Sequence, residues 1–330
     1  MAPTKFQTST DILDLVKPGL AKVEAEFRRQ SVSNVRPITE IGEYLQFSGG
    51  KRLRPALVLL SASLCGYEGD SAVRLGAVVE LIHTATLIHD DVIDQAATRR
   101  GRASTNSRWG NHTSVLAGDW LYMKAFSIGL TERNFKILDI LISLTSEMVE
   151  GELMQMNQLK QITLTEADYL ELCQRKTASL FSACLRLGAA LGARGEALDA
   201  KLGSYGANLG LAFQVIDDLL DFTSSEATLG KPIGSDLREG KITLPLIYLL
   251  ARCTPAEKAK IARVLEEDGF HSVEFGEILE LIERYNILQA ARTRAQHFAG
   301  LAEASLEGIS ESPYRDALLS LAEFIADRQS

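Results

Sequence analysis

An all-α fold is predicted by three features of the 330-residue sequence: apolar residues recur at threes and fours, only 8 prolines interrupt the chain, and alternating apolar stretches are missing. Val78, Leu81, Ile82, Ala85 and Ile88 define the first clear helix. It is apolar or small nearly all the way round, which predicts a central helix covered by others. Leu116 to Leu130 and Phe135 to Met156 repeat the helical period on either side of a polar connection, Thr131 to Asn134. Tyr169 to Leu191 follows, then a connection at Gly192 to Gly195, then Leu198 to Phe222. Ser224 to Gly240 is the longest polar, Gly-bearing stretch, and a loop of that length directly after a carboxylate cluster reads as a functional lid. No linker or composition shift divides the chain, so residues 1–330 read as one domain.

Composition removes several classes of function. With 46% hydrophobic and 24% charged residues the chain is neither disordered nor fibrous. A net charge of -8 supplies no broad basic field, so nucleic acid is not an expected partner. The first thirty residues mix Asp11, Asp14, Lys17, Glu24 and Arg28 among apolar ones, and no run reaches the ~18 uncharged apolar residues of a membrane span. A cytoplasmic protein without an integral membrane segment is the expectation. Cys65, Cys173, Cys184 and Cys253 are scattered and form no Cys-x-x-Cys pair, so they read as small buried apolar groups, not zinc ligands or disulfides.

Two segments carry the chemistry. Asp90-Asp91-Val92-Ile93-Asp94 and Asp217-Asp218-Leu219-Leu220-Asp221 share the form Asp-Asp-x-x-Asp. On a helix the first and last carboxylates stand one turn apart, about 6 Å along the axis, and point the same way. One such cluster in a chain with 43 acidic residues is an ordinary solvated helix end. Two, each closing a strongly apolar run, call for a bound cation and for an arrangement in which they face each other across a cavity. All-oxygen ligands select magnesium, which keeps waters and takes further ligands from substrate phosphates. Basic residues grouped nearby complete a diphosphate grip: Lys51, Arg52 and Arg54 behind the pair Gly49-Gly50, Arg99-Arg100-Gly101 after the first cluster, then Lys176-Thr177, and Lys231 and Lys241 flanking Asp236.

With these motifs the chain resembles the trans-polyprenyl diphosphate synthases, long-chain members of octaprenyl or solanesyl type in particular. Gly49 to Pro55 resembles the family's Gly-Gly-Lys-x-x-Arg-Pro signature, and Asp90 to Asp94 and Asp217 to Asp221 its two aspartate-rich motifs. His83 to Asp94, Gly118-Asp119, Gly151-Glu152, Lys176-Thr177 and Phe213-Gln214 extend the likeness from about residue 40 to residue 250. The resemblance implies a single-domain bundle of mostly antiparallel helices around a deep central cavity, usually a homodimer. It implies condensation of isopentenyl diphosphate with an allylic diphosphate. Magnesium would bridge the allylic diphosphate to Asp90, Asp94 and Asp217, with Asp91, Asp218 and Asp221 completing the ligand set. Arg99, Lys176, Thr177, Gln214, Lys231 and Lys241 would contact that substrate. Lys51, Arg54, His83 and Arg100 would hold isopentenyl diphosphate. His83 and Asp90, seven residues apart, lie on one helix face, so one helix reaches both substrates, while His89 reads as structural.

Product length is read from small residues. Ala85 with Thr86 leaves the path from Asp90 along its helix open where short-chain members of the family carry a bulky aromatic. Val78 and Leu81 continue that face, and Gly129 and Leu141 resemble positions at its far end; Gly129 leaves room there unless it serves only close helix packing. A product of octaprenyl to decaprenyl size is expected. A geranylgeranyl or farnesyl diphosphate synthase and a non-catalytic subunit of a heteromeric synthase are the alternatives. A helical terpene cyclase needs no second diphosphate pocket, so Gly49 to Arg54 argues against one.

Overall fold

The computed structural model describes residue 6 and residues 8–46, 52–99, 101–223 and 233–328. The fold is all-α. The first helices are α1 (Ser9–Leu15), α2 (Lys17–Gln30), α3 (Arg36–Gln46), α4 (Leu53–Leu64) and α5 (Ser71–Ile93). After a short hairpin of β1 (Thr98–Arg99) and β2 (Arg102–Ala103) come α6 (Thr105–Trp109), α7 (Asn111–Thr131), α8 (Phe135–Gln158) and α9 (Glu166–Cys173). A π-helical turn, Gln174–Ala178, joins α9 to α10 (Ser179–Ala189), and α11 (Gly195–Thr223) follows. The chain ends in α12 (Ser235–Arg238), α13 (Leu244–Arg252), α14 (Pro255–Glu266), α15 (Phe275–Arg284), α16 (Ile287–Ser305) and α17 (Pro313–Ala326).

Local chemistry starts several of these helices. Thr8 with Asp11, Thr165 with Asp168, and Thr254 with Glu257 form reciprocal capping boxes at α1, α9 and α14, satisfying backbone N–H groups that a helix start leaves unpaired. The connection at Thr131 to Asn134 lies where α7 gives way to α8. Contacts group the chain into two compact units, one of Met1–Ser146, Leu180–Gly206 and Ser305–Leu321, the other of Glu147–Ser179, Ala207–Ala304 and Ala322–Ser330. Their boundaries fall inside helices, so no linker marks them in the composition.

The first unit is built round α5, which packs against α2, α4 and α7. Leu75, Val78, Leu81, Ile82, Ala85 and Ile88 are all buried, which accounts for the apolar character on every side of this helix. Ser71–Ile93, 23 residues long with an 18-residue window of mean hydropathy 1.4, is the one described helix long and apolar enough to cross a membrane, and 67% of that window is buried against protein. A helix covered on all faces needs no polar side, so core and membrane helices share this signature.

The hairpin was not foreseen. Arg99 pairs with Arg102 and Thr98 with Ala103 around a turn that needs Gly101 at φ +73°, a left-handed conformation that side chains disfavour. Two-residue strands are too short to leave a periodic signal. The π-helical turn also breaks what reads in sequence as one helix from Tyr169 to Leu191, and it falls on Lys176 and Thr177. Such turns are frequent at functional sites.

Candidate active site

In the first unit the cluster Asp90 to Asp94 closes α5, with Asp94 as the exposed C-terminal residue and Asp90 half-buried. The two are linked through the last helical hydrogen bond, Asp94 N to Asp90 O at 2.8 Å, so they keep the one-turn spacing. Asp91 turns elsewhere. Its carboxylate is 3% exposed and accepts from Arg99 Nε at 2.7 Å. Burial pushes the Asp91 carboxyl above its ordinary range, against the opposing pull of Arg99. Asp91 therefore holds the hairpin on α5, an assignment different from the metal-ligand role expected of it.

Arg54, early in α4, lies 3.2 Å from His83 Nε2 through its Nη1, with its guanidinium 5.4 Å from the Phe181 ring centre. These two residues of the expected isopentenyl diphosphate set are thus neighbours. Arg52 precedes α4 at φ 48° and bridges Glu24 and Glu80, each at 2.9 Å. Lys51 and Arg100, like Gly49 and Gly50, lie outside the described residues. His89 donates from Nε2 to Val115 O at 3.1 Å and abuts Gly118, in keeping with a structural role. Sequence reading missed Tyr122, whose hydroxyl is pushed up by burial and by the nearby charges of Asp90 and Asp119.

Ala85 is fully buried, and Thr86 Oγ1 donates to His83 O at 2.7 Å. Gly129 does not leave open space: a Cβ there would lie 2.7 Å from Leu141 Cδ1. Leu141 fills the volume Gly129 vacates, so this pair is close helix packing, and the reading of Gly129 as room for product is corrected.

The second unit contains a pocket of about 190 Å³ lined by Lys176, Thr177, Gln214, Asp217, Asp218, Asp236 and Lys241, among others. Gln214 is central to it. Its Oε1 accepts from Thr177 Oγ1 at 2.7 Å and its Nε2 donates to Asp218 Oδ1 at 2.7 Å. Tyr169 Oη donates to the other oxygen of Asp218 at 2.6 Å. Burial drives the Asp218 carboxyl well up, with Asp236 adding to it and these two donors opposing it. Asp221, wholly buried, accepts from Ser235 Oγ at 2.9 Å and from the Asp236 backbone N–H at 3.1 Å, anchoring the chain just beyond residues 224–232. Asp218 and Asp221 are engaged by protein donors, while Asp217 keeps its side chain 53% exposed. Of the expected ligands in this cluster, only Asp217 is turned to solvent. Lys231 lies outside the described residues.

Lys176 is paired with Glu152 and donates to Gln155 Oε1 at 3.1 Å; Lys241 is paired with Glu239 at 2.7 Å. Gly151 permits the first arrangement: a Cβ there would sit 2.8 Å from the backbone N of Lys176. Tyr169 and Arg328 went unnoticed in the sequence, the latter 3.9 Å from Asp217 through Nη1. Neither belongs to a local motif that could have exposed it.

One aspartate-rich segment ends α5 in the first unit and a second lies on α11 in the second, each with basic side chains near it. Residues 35–282 match the polyprenyl synthetase family, and the chain belongs to it. Octaprenyl diphosphate synthase of Escherichia coli (strain K12) is 37% identical over 318 residues, 96% of this chain and 98% of that one. A short chain isoprenyl diphosphate synthase of Methanothermobacter thermautotrophicus is 34% identical, over 97% and 99% of the two chains. Among solved structures, the Caulobacter crescentus CB15 polyprenyl synthase complexed with calcium and isoprenyl diphosphate superposes with a TM-score of 0.94 at 38% identity, covering 99% of this chain and 100% of that one.

Proposed function

We propose that this chain is a magnesium-dependent prenyltransferase that condenses isopentenyl diphosphate with an allylic diphosphate to build a long all-trans-polyprenyl diphosphate. The observation that carries the reading is the pairing of two aspartate-rich helix segments with separate basic clusters in a member of this family. On this reading the motif residues Asp90, Asp94 and Asp217 would hold the magnesium. Their donor set fits that ion: hard carboxylate oxygens suit a metal that keeps waters and takes phosphate oxygens. The Caulobacter relative's calcium supports a divalent cation at such a site. Bound magnesium neutralises charge developing on the departing diphosphate.

The chain's own cations act in the same direction. Lys176 and Arg99, with Lys231 and Lys241, lower the charge of the leaving group, while Gln214 and Thr177 orient it. The allylic C–O bond breaks with its electron pair going to diphosphate. The isopentenyl double bond, placed by Lys51, Arg54, His83 and Arg100, attacks the resulting cation. Loss of a proton to the released diphosphate restores a double bond, and the lengthened allylic diphosphate can enter another round. The small side chain of Ala85 and the octaprenyl synthase relative support the long product.

The reading includes a cytoplasmic enzyme acting as one catalytic domain in a homodimer. Two helix faces support the dimer: Leu116, Met123 and Leu130 on α7, and Phe135, Ile142, Val149 and Met156 on α8, are exposed at strict seven-residue spacing. Each row lies along one side of its helix, an apolar surface that monomers seldom leave uncovered.

The test is incorporation of isopentenyl diphosphate by the purified chain alone with magnesium and geranyl, farnesyl or geranylgeranyl diphosphate, followed by chromatography of the products. Elongation to about forty or more carbons is expected; the absence of incorporation would refute the reading. Lys51→Ala should raise the KM for isopentenyl diphosphate and spare that of the primer.

A further inference from the structure

We propose that Tyr169 is a positioning residue for the allylic diphosphate: its hydroxyl pins the buried Asp218 carboxylate, and that carboxylate sets which end of the Gln214 amide is presented to the substrate. The inference rests on the prenyl-elongation reading above and gives a role to a residue outside its motifs.

The anchor comes from α9. Tyr169 is 3% exposed, on a helix whose first turn is fixed by the capping box of Thr165 and Asp168. A buried phenol needs a partner for its O–H. Tyr169 Oη donates to Asp218 Oδ2 at 2.6 Å, and the other oxygen, Asp218 Oδ1, accepts from Gln214 Nε2 at 2.7 Å. Gln214 stands one turn before Asp218 on the same helix, α11. Among the described residues, Tyr169 is thus the donor that ties this carboxylate to a different element.

The orientation of the amide follows from which groups donate and which accept. The two ends of a glutamine amide have nearly the same shape, so hydrogen-bond partners decide which way it sits. Thr177 Oγ1 donates to Gln214 Oε1 at 2.7 Å, but a hydroxyl turns and would serve either end of the amide. A carboxylate only accepts. Asp218 therefore holds Nε2 toward itself, and the second N–H of that nitrogen supplies a donor for a phosphate oxygen in the pocket that Gln214 lines with Lys176, Asp217 and Lys241. Tyr169→Phe would leave Asp218 Oδ2 buried without this donor, and the carboxylate would then depend on Gln214, a neighbour on its own helix. The pair can relax together, and Gln214 loses the orientation the substrate requires. A hydrogen bond to a charged group is worth about tenfold or more in binding. Arg54 and His83, assigned to isopentenyl diphosphate, belong to the first unit and take no part in this relay.

The experiment is a double-mutant cycle on the full chain, measuring kcat, both KM values and Tm for wild type, Tyr169→Phe, Gln214→Met and the double variant, with magnesium and farnesyl diphosphate as primer. Tyr169→Phe should raise the KM for farnesyl diphosphate about tenfold and leave that for isopentenyl diphosphate within about threefold of wild type. Because the hydroxyl acts through Gln214, the double variant should show the allylic KM of Gln214→Met to within about twofold. A merely structural tyrosine would lower Tm, and its kinetic effect would multiply with that of Gln214→Met. Unchanged constants in Tyr169→Phe, an equal rise in both KM values, or multiplied effects in the double variant overturn the proposal. If Tyr169→Phe does not fold because a buried carboxylate is left unpaired, Tyr169→Phe with Asp218→Leu replaces both partners by apolar groups and must show the same one-sided rise; a wild-type allylic KM there overturns the proposal equally. Failure of the prenyl-elongation reading is seen separately, in a wild-type chain that incorporates no isopentenyl diphosphate.

Discussion

Gly151→Ala places one methyl group against the turn that carries Lys176. The added Cβ would lie 2.8 Å from Lys176 N, 3.1 Å from Lys176 Cα and 3.1 Å from Arg175 Cβ, whereas ordinary contact begins near 3.4 Å. The shortfall to backbone nitrogen is 3.4 − 2.8 = 0.6 Å, and backbone in a helical turn cannot rotate away as a side chain would. Overpacking of this kind costs about 1–3 kcal/mol. In a chain of 330 residues that lowers Tm by roughly 1–2 °C per kcal/mol. The π-helical turn must shift, carrying Lys176 and Thr177 with it and straining the Thr177 to Gln214 bond. Since an error near 1 Å at a reacting centre costs about a hundredfold, kcat/KM for the allylic substrate should fall about 10- to 100-fold. The KM for isopentenyl diphosphate should change little. Gly300→Ala is the control, because a Cβ there meets nothing within 4 Å, and removing a helical glycine should stabilise by roughly 0.5–1 kcal/mol. Steady-state incorporation of labelled isopentenyl diphosphate and a thermal melt read both effects. Wild-type kcat/KM and Tm in Gly151→Ala would refute the reasoning.

Three further expectations follow from the same geometry. Asp90→Ala and Asp217→Ala each remove a proposed magnesium ligand where leaving-group charge develops, so turnover should fall about a hundredfold or more, and near-normal rates in either would sink the assignment. Ala85→Phe, at a position with no exposed surface, should shorten the products while sparing the first condensations; an unchanged product distribution by chromatography would show that Ala85 is off the elongation path. Glu257 is held below the ordinary carboxylate range, first by the Thr254 backbone N–H and then by the Tyr285 and Thr254 hydroxyls. A depressed carboxylate stabilises the fold above its unfolded pKa and loses that contribution as pH falls through the folded one, so Glu257→Gln should flatten the decline in Tm between about pH 5 and pH 3, and parallel curves would count against it.

What the sequence determined by itself is what helical periodicity and short motifs encode. The all-round apolar character of Val78 to Ile88 marked a core helix because α5 packs against α2, α4 and α7. The one-turn spacing within each cluster was legible because it depends on helical geometry alone. The surroundings of Asp91, Asp218 and Asp221 were not, since only folding brings Arg99 to Asp91, Tyr169 with Gln214 to Asp218, and Ser235 to Asp221. The same limit hid the π-helical turn and Arg328, and left undecided whether Gly129 opens space or admits Leu141. Periodicity reports which face of a helix turns inward, because that depends on near neighbours in the chain. Which side chain it meets there depends on residues distant in sequence, such as Tyr169 and Asp218, 49 positions apart, and their approach is set by the packing of whole helices.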